Sequence, residues 1–110
     1  LAVLDELGLA WDEDGAGPLV GSTIGNILCR LPGRVSGGAP IFLCAHLDTV
    51  PPNASWTRNP FKPKQVGDRL YGLGSSDAKA SVAAMLASLP RIRQIGDRLG
   101  GRGIFAATCD

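Results

Sequence analysis

The chain carries almost no net charge and has no apolar run long enough to cross a membrane. Eleven basic and ten acidic residues among 110 give a net charge of +1 at neutral pH. This balance provides no electrostatic basis for binding nucleic acid or an anionic membrane surface. A membrane-spanning helix needs about 20 consecutive apolar residues. We therefore expect neither a nucleic acid nor a membrane as a partner.

The length and composition predict one small domain or part of a larger one. Hydrophobic residues make up 45% of the chain, which is enough to form a core. The chain does not begin with Met, and residues 1–9 are too short and too acidic for a signal peptide. We therefore expect an internal start.

Cysteine is scarce, and its spacing does not fit a zinc or redox motif. The three cysteines, Cys29, Cys44 and Cys109, are far apart and lie in apolar segments. We expect buried free thiols in a reducing compartment, and hence a cytoplasmic protein. Cys44 and His46 would face the same way on a strand, which leaves a nucleophilic pair as an alternative. No neighbouring group would activate that thiol.

Strand and helix patterns alternate along the chain, which predicts an α/β fold. Helices are predicted at 1–10 and 78–89, strands within 11–20 and at 24–31, 41–45, 69–71 and 103–109, a turn at 34–40 and a long loop at 49–65. Residues 41–45 are apolar on both faces, as in an inner strand with helices on both sides of the sheet. Pro90 is expected to weaken any continuation of the second helix, leaving at most a helical turn towards Arg98.

The predicted strand at 41–45 runs into His46 and Asp48. Side chains at positions i and i+2 of an extended chain face the same way, so these two should stand side by side. A carboxylate beside an imidazole fixes its tautomer and orientation, as behind many metal-binding histidines. A hydrogen-bonded histidine and an ordinary Asp-Thr turn are the alternatives. Because His46 is the only histidine, these residues alone cannot complete a histidine-rich metal site.

The run GLGSSDAK at 72–79 precedes the predicted helix. It lacks the third glycine of a dinucleotide fingerprint, and its carboxylate would repel a pyrophosphate. Asp77 could cap the helix or bind a metal, and both interpretations remain open. Lys79 is expected to be a solvated residue of the first helical turn. Since ligands gather at the carboxyl ends of strands, His46, Asp48 and Asp77 could form one zinc or cobalt site.

Three runs of sequence resemble a known family. They are HLDTVP at 46–51, WTRNPF at 56–61 and LYGLGSSDAK at 70–79. They are similar to motifs of the co-catalytic zinc hydrolases, a family that includes acetylornithine deacetylase, succinyl-diaminopimelate desuccinylase, aminoacylase and carboxypeptidase. Among these members, the residues of the three runs most resemble acetylornithine deacetylase. The resemblance covers roughly residues 41–89. It implies the N-terminal part of a zinc-exopeptidase-type catalytic domain, a mixed sheet flanked by helices.

The resemblance also implies roles for individual residues. His46 matches a ligand of one metal, and Asp77 matches the aspartate that bridges two metals and is typically followed by a cis peptide bond. Asp48 matches the catalytic carboxylate that orients the histidine. The implied cofactors are two Zn²⁺ ions, with Co²⁺ as an alternative. Lys79 matches a family position without an assigned role, Ala80 replaces the usual glycine, and no substrate-binding residue is identified.

Other parts that the resemblance implies are missing from this sequence. The family continues after a strand like 103–109 with two adjacent glutamates, one the general base and one a metal ligand. An acidic ligand and a final histidine follow. We therefore expect residues 1–110 to form a partial catalytic domain that lacks the general base and the dimerisation domain. The fragment alone should be inactive, and the parent protein should be a homodimer.

The resemblance implies that the parent protein is an acetylornithine deacetylase-like hydrolase, which uses a metal to cleave the amide bond of an N-acylated amino acid within amino-acid metabolism. The expected partner is a small-molecule substrate, an N-acyl amino acid or a peptide. A dipeptidase or carboxypeptidase of the same family, or a non-catalytic fragment or pseudoenzyme, are the alternatives. Trp56, Arg58 and Phe61 either line the approach to the site or hold the long loop. We favour loop anchoring for the two aromatic residues, and solvent exposure for Arg58 over contact with a substrate carboxylate.

Overall fold

The computed structural model describes residues 1–34 and 37–109. Val35 and Ser36, in the turn predicted at 34–40, and Asp110 lie outside the described residues. The strands are β1 (Trp11–Glu13), β2 (Ile27–Leu31), β3 (Ile41–His46), β4 (Lys64–Val66), β5 (Arg69–Tyr71) and β6 (Gly103–Thr108). The helices are α1 (Ala2–Glu6), α2 (Ala16–Leu19) and α3 (Ala80–Gln94), with a short 3₁₀ turn at Gly96–Arg98.

The main sheet is mixed, with the strand order β1-β2-β6-β3. β1 and β2 are antiparallel, β2 and β6 are antiparallel, and β6 and β3 run parallel. β4 and β5 form a separate two-stranded antiparallel hairpin. Helices flank the main sheet, so the predicted α/β class with a mixed sheet is confirmed.

The core lies between one face of the main sheet and helix α3. Cys29 of β2 pairs with Phe105 of β6, and both side chains are almost completely buried. Val82 and Leu89 of α3 belong to the same buried cluster, and Met85 and Leu86 pack against it. The apolar stripe predicted for this helix is therefore the face that anchors it to the sheet.

The prediction that helices cover both faces of strand β3 is wrong for the described residues. β3 lies at the edge of the main sheet, and Phe42 is 59% exposed. Alternation places Ala45 on the covered face and Cys44 on the open one, so Cys44 is exposed rather than buried. Among the other cysteines, Cys29 is buried as expected and Cys109 is half-buried.

Helix α3 continues through Pro90 to Gln94, so the expectation that the helix does not extend beyond this proline is wrong. Proline removes one backbone donor, but residues on both sides of it are held by packing. Leu89 is 1% exposed, and Ile92 packs against the core. The helix also starts later than predicted, because Asp77 and Ala78 have non-helical backbone angles.

Smaller differences concern short elements. The sequence did not predict α2 or β4, and β2 begins at Ile27 rather than at residue 24. The chain between β3 and β4 is irregular, as expected from its prolines. No helix in the described ranges has both the length and the apolar character needed to span a membrane.

Candidate metal centre

The candidate site lies where the two parallel strands end. His46 is the last residue of β3, and it pairs with Thr108 at the end of β6. Asp48 follows in the irregular segment after β3, and Asp77 lies in the turn Ser75–Lys79 before α3. The fold therefore brings His46, Asp48 and Asp77 together at the carboxyl ends of parallel strands, where α/β sheets bind ligands.

The imidazole of His46 lies between two carboxylates. Its Nδ1 atom is 3.0 Å from Oδ1 of Asp48 and 3.2 Å from the backbone oxygen of Asp48. Both of these oxygen atoms are acceptors, so Nδ1 carries a hydrogen and is the hydrogen-bond donor. Nε2 is 2.9 Å from Oδ1 of Asp77. The expected contact between His46 and Asp48 is present, and Asp77 meets the opposite side of the ring.

The two carboxylates favour a positive charge at the ring. The hydrogen bond to Asp77 is the largest influence and raises the pKa of His46; Asp48 adds to this effect, and partial desolvation opposes it. With Nδ1 directed at Asp48, Nε2 and Oδ1 of Asp77 lie 2.9 Å apart, so these two atoms are the pair that could share a proton or a metal ion.

The same donors fit a divalent metal. An imidazole nitrogen and a carboxylate oxygen are typical zinc ligands, and two ligands of one tetrahedral zinc lie roughly 3.3 Å apart. The Nε2 to Oδ1 distance of 2.9 Å is that of a hydrogen bond and is shorter than this separation, so the two atoms would move slightly apart to bind one zinc ion. The side chain of Asp77 is 88% exposed, so its second oxygen remains accessible. His46 and Asp77 could therefore bind a metal, with Asp48 orienting the imidazole.

The described residues supply only part of a metal site. Within residues 1–34 and 37–109, no group of three or more His, Cys, Asp or Glu side chains could hold an ion. Asp48 directs its carboxylate at Nδ1, which leaves His46 and Asp77 as the two candidate ligands. Tight binding of a metal would need further donors.

Asp77 does not cap helix α3, so that alternative is wrong. The N-cap position is Lys79, and no side chain makes a capping hydrogen bond there. The peptide bond between Asp77 and Ala78 is cis, as the resemblance implied. Lys79 is exposed, but its Nζ atom donates a hydrogen bond to the backbone oxygen of Leu47 over 3.2 Å. It is therefore not merely solvated, and sequence reasoning missed this contact.

An open cleft of about 310 Å³ borders Asp77. Its walls include Trp56, Leu73 and the segment 49–51 after His46. Trp56 is 37% exposed at this cleft, which places it at the approach to the candidate site. Nothing in the sequence distinguished this position from a buried anchor.

The remaining side chains of the long loop contribute less. Phe61 is 72% exposed, so the expectation that it anchors the loop is wrong. Arg58 is exposed as expected, and its guanidinium lies 4.4 Å from the ring centroid of Tyr71. Both ring nitrogens of His46 face carboxylates, so the alternative of a Cys44–His46 pair gains no support from the geometry.

Comparison with known sequences shows a family match and curated relatives. The family model "Peptidase family M20/M25/M40" matches residues 42–110. Succinyl-diaminopimelate desuccinylase from Novosphingobium aromaticivorans is 37% identical over 91 residues, covering 83% of this chain and 24% of that protein. The protein of the same name from Rhizorhabdus wittichii is 32% identical over 97 residues, covering 88% and 24%. The chain spans about a quarter of the length of these relatives.

Solved structures of similar fold include peptidases. Human carnosine dipeptidase 1 superposes with a TM-score of 0.72 at 25% identity, covering 97% of this chain and 24% of that one. A tripeptidase from Staphylococcus aureus gives a TM-score of 0.68 at 28% identity, covering 96% and 28%. The similarity extends over nearly all of this chain and over a minor part of each neighbour.

Proposed function

Because this chain belongs to peptidase family M20/M25/M40, we propose that it is the metal-binding part of a hydrolase that cleaves an amide bond. We propose further that residues 1–110 form part of a catalytic domain whose remaining ligands and general base lie elsewhere in the complete protein. The observation that carries this proposal is the placement of the His46 imidazole between Asp48 and Asp77 at the end of two parallel strands.

Each residue has a distinct part in this proposal. Asp48 accepts the proton of Nδ1, which leaves the lone pair of Nε2 directed towards Asp77. His46 and Asp77 would then hold a divalent metal, with zinc first and cobalt as the alternative. A bound metal of this kind supplies Lewis acidity for amide hydrolysis. Asp77 has a second, exposed oxygen, which supports the further proposal that it contacts two metals.

The substrate we propose is an N-acyl amino acid. The desuccinylase names of the curated relatives favour an N-succinyl group. The resemblance of HLDTVP and LYGLGSSDAK to acetylornithine deacetylase favours an N-acetyl group. Both are acyl amides of amino acids, so the same bond would be broken.

Peptide hydrolysis is the second candidate. It is favoured by the fold similarity to human carnosine dipeptidase 1 and to the Staphylococcus aureus tripeptidase. A peptide bond and an acyl amide are both amides, so a bound metal would supply the same Lewis acidity to either carbonyl. The two activities would differ in residues that surround the rest of the substrate.

Assays of the complete protein with added Zn²⁺ or Co²⁺ would test these proposals. N-succinyl-diaminopimelate, N-acetyl-ornithine and simple dipeptides form the substrate panel. We expect metal-dependent release of an acyl group and a free amine from one of the first two, and a chelator should abolish it. Hydrolysis of dipeptides alone would favour the second candidate. Turnover that persists after complete metal removal would contradict both.

A further inference from the structure

Lys79 joins the two segments that carry the candidate metal ligands. It lies two residues after Asp77, and its Nζ atom donates to the backbone oxygen of Leu47 over 3.2 Å. Leu47 is the residue between His46 and Asp48. This hydrogen bond therefore connects the turn that presents one ligand with the strand end that presents the other.

The lack of a side chain at Gly74 leaves room for this contact. A Cβ atom on Gly74 would lie 2.8 Å from Nζ of Lys79 and 2.5 Å from Cγ2 of Thr49. Gly74 also has a φ of +74°, which favours glycine, and its oxygen accepts a hydrogen bond from the backbone amide of Lys79 over 3.0 Å. The Lys79 side chain thus passes directly over Gly74 to reach the segment after His46.

We propose that Lys79 is a positioning residue for the metal ligands, a role that rests on the function proposed above. Its ammonium group holds the Leu47 carbonyl, so the backbone between His46 and Asp48 is fixed against the turn of Asp77. Hydrogen bonds from a charged donor are stronger than neutral ones. The distance between Nε2 of His46 and Oδ1 of Asp77 is then set before a metal binds. Lys79 itself donates no electron pair to the metal.

Three variants of the complete protein test this role. Lys79→Met keeps the length of the side chain and removes the donor, whereas Lys79→Arg keeps a charged donor. Lys64→Met is the matched control, because Lys64 lies on the exposed β4–β5 hairpin. Each metal-free protein is titrated with Co²⁺ while the d–d absorption bands are recorded, and its thermal unfolding is measured.

We expect Lys79→Met to weaken Co²⁺ binding roughly three- to tenfold, in line with the loss of one hydrogen bond that orients ligands. The absorption bands should shift, and kcat should fall while KM changes little. Lys79→Arg should recover most of the affinity, and Lys64→Met should match the wild type in each measurement.

Two results would overturn the positioning role. One is wild-type Co²⁺ affinity and an unchanged spectrum in Lys79→Met. The other is an equal loss of Co²⁺ affinity in Lys79→Met and Lys79→Arg that accompanies a lowered melting temperature, since this would indicate a general contribution to folding.

His46→Gln and Asp77→Asn separate this proposal from the proposed function. If they retain Co²⁺ binding, the proposed function fails; if only Lys79→Met retains it, the Lys79 role fails alone.

Discussion

The Nε2 atom of His46 lies 2.9 Å from Oδ1 of Asp77, although the two residues are 31 positions apart in the sequence. The Asp48 carboxylate meets the other nitrogen of the same ring. Because each ring nitrogen of His46 faces a carboxylate oxygen, Nε2 and the Asp77 carboxylate can bind the same proton or metal ion. This relationship is the physical basis of the first two predictions.

Replacing Asp77 by Ala in the complete protein should abolish hydrolysis. It removes a proposed metal ligand, so metal affinity should fall by more than the roughly 10- to 100-fold that loss of an orienting partner costs. Isothermal titration with Zn²⁺ and the hydrolysis assay measure the two effects. Asp68→Ala, in the exposed turn between β4 and β5, is the matched control. Retained turnover with a normal metal content would refute the role of Asp77.

Replacing Asp48 by Ala should weaken metal binding without removing a ligand. The imidazole would lose the acceptor that fixes its tautomer, which typically costs about 10- to 100-fold in affinity or activity. Asp48→Asn should lose less, because its amide oxygen still accepts the Nδ1 proton. Zinc titration of both variants gives the order of affinities. An Asp48→Asn protein that binds zinc more weakly than Asp48→Ala would contradict the orienting role.

The sequence predicted the local geometry of the site better than its surroundings. The contact between His46 and Asp48 follows from the two-residue period of a strand, and the structure has it. The approach of Asp77 depends on tertiary structure. Two arguments predict that Asp77 lies near His46: the carboxyl ends of strands converge, and the motif around Asp77 resembles that of a known family. No local sequence pattern predicts this approach.

The sequence does not predict that one face of β3 is exposed or that Lys79 contacts the backbone oxygen of Leu47. An apolar strand face looks the same whether a helix covers it or leaves it open, so the exposed Phe42 was unexpected. The sequence predicts that Lys79 lies in the first helical turn. The non-helical angles at Asp77 and Ala78 delay the helix to Ala80, and this directs Lys79 towards Leu47 instead.

The stability of the fold should depend on the ionisation of Asp14. The pKa of its carboxyl group is lowered, first by the side-chain amide of Asn26 and then by the backbone amides of Ala16 and Asn26. A lowered folded-state pKa stabilises the fold at pH values above 3.8, and this contribution is lost as the pH falls below that value. Asp14→Ala should therefore lower the melting temperature at neutral pH, and the difference from wild type should shrink in acid.

Melting curves between neutral and acidic pH measure this dependence. Asp68→Ala serves again as the control, because Asp68 is exposed on the β4–β5 turn. It should show little difference from wild type at any pH. A deficit of Asp14→Ala that stays constant, or grows, on acidification would mean that the carboxylate charge is not the source of stability.

Pro90 should be a destabilising residue within helix α3. It interrupts the backbone hydrogen-bond ladder at a point where the helix continues for four more residues, to Gln94. Replacing it with Ala restores an amide donor that can reach the carbonyl of Leu86, and alanine is favoured over proline inside a helix by about 3 kcal/mol. The greater freedom of the unfolded chain opposes part of this gain, so we expect a net stabilisation of about 1–2 kcal/mol.

Urea unfolding of Pro90→Ala and of the wild type measures this difference in the free energy of unfolding. Pro60→Ala, in the irregular loop, is the control and should not stabilise the protein. A Pro90→Ala variant no more stable than wild type would show that packing of Leu89 and Ile92 already compensates for the missing donor.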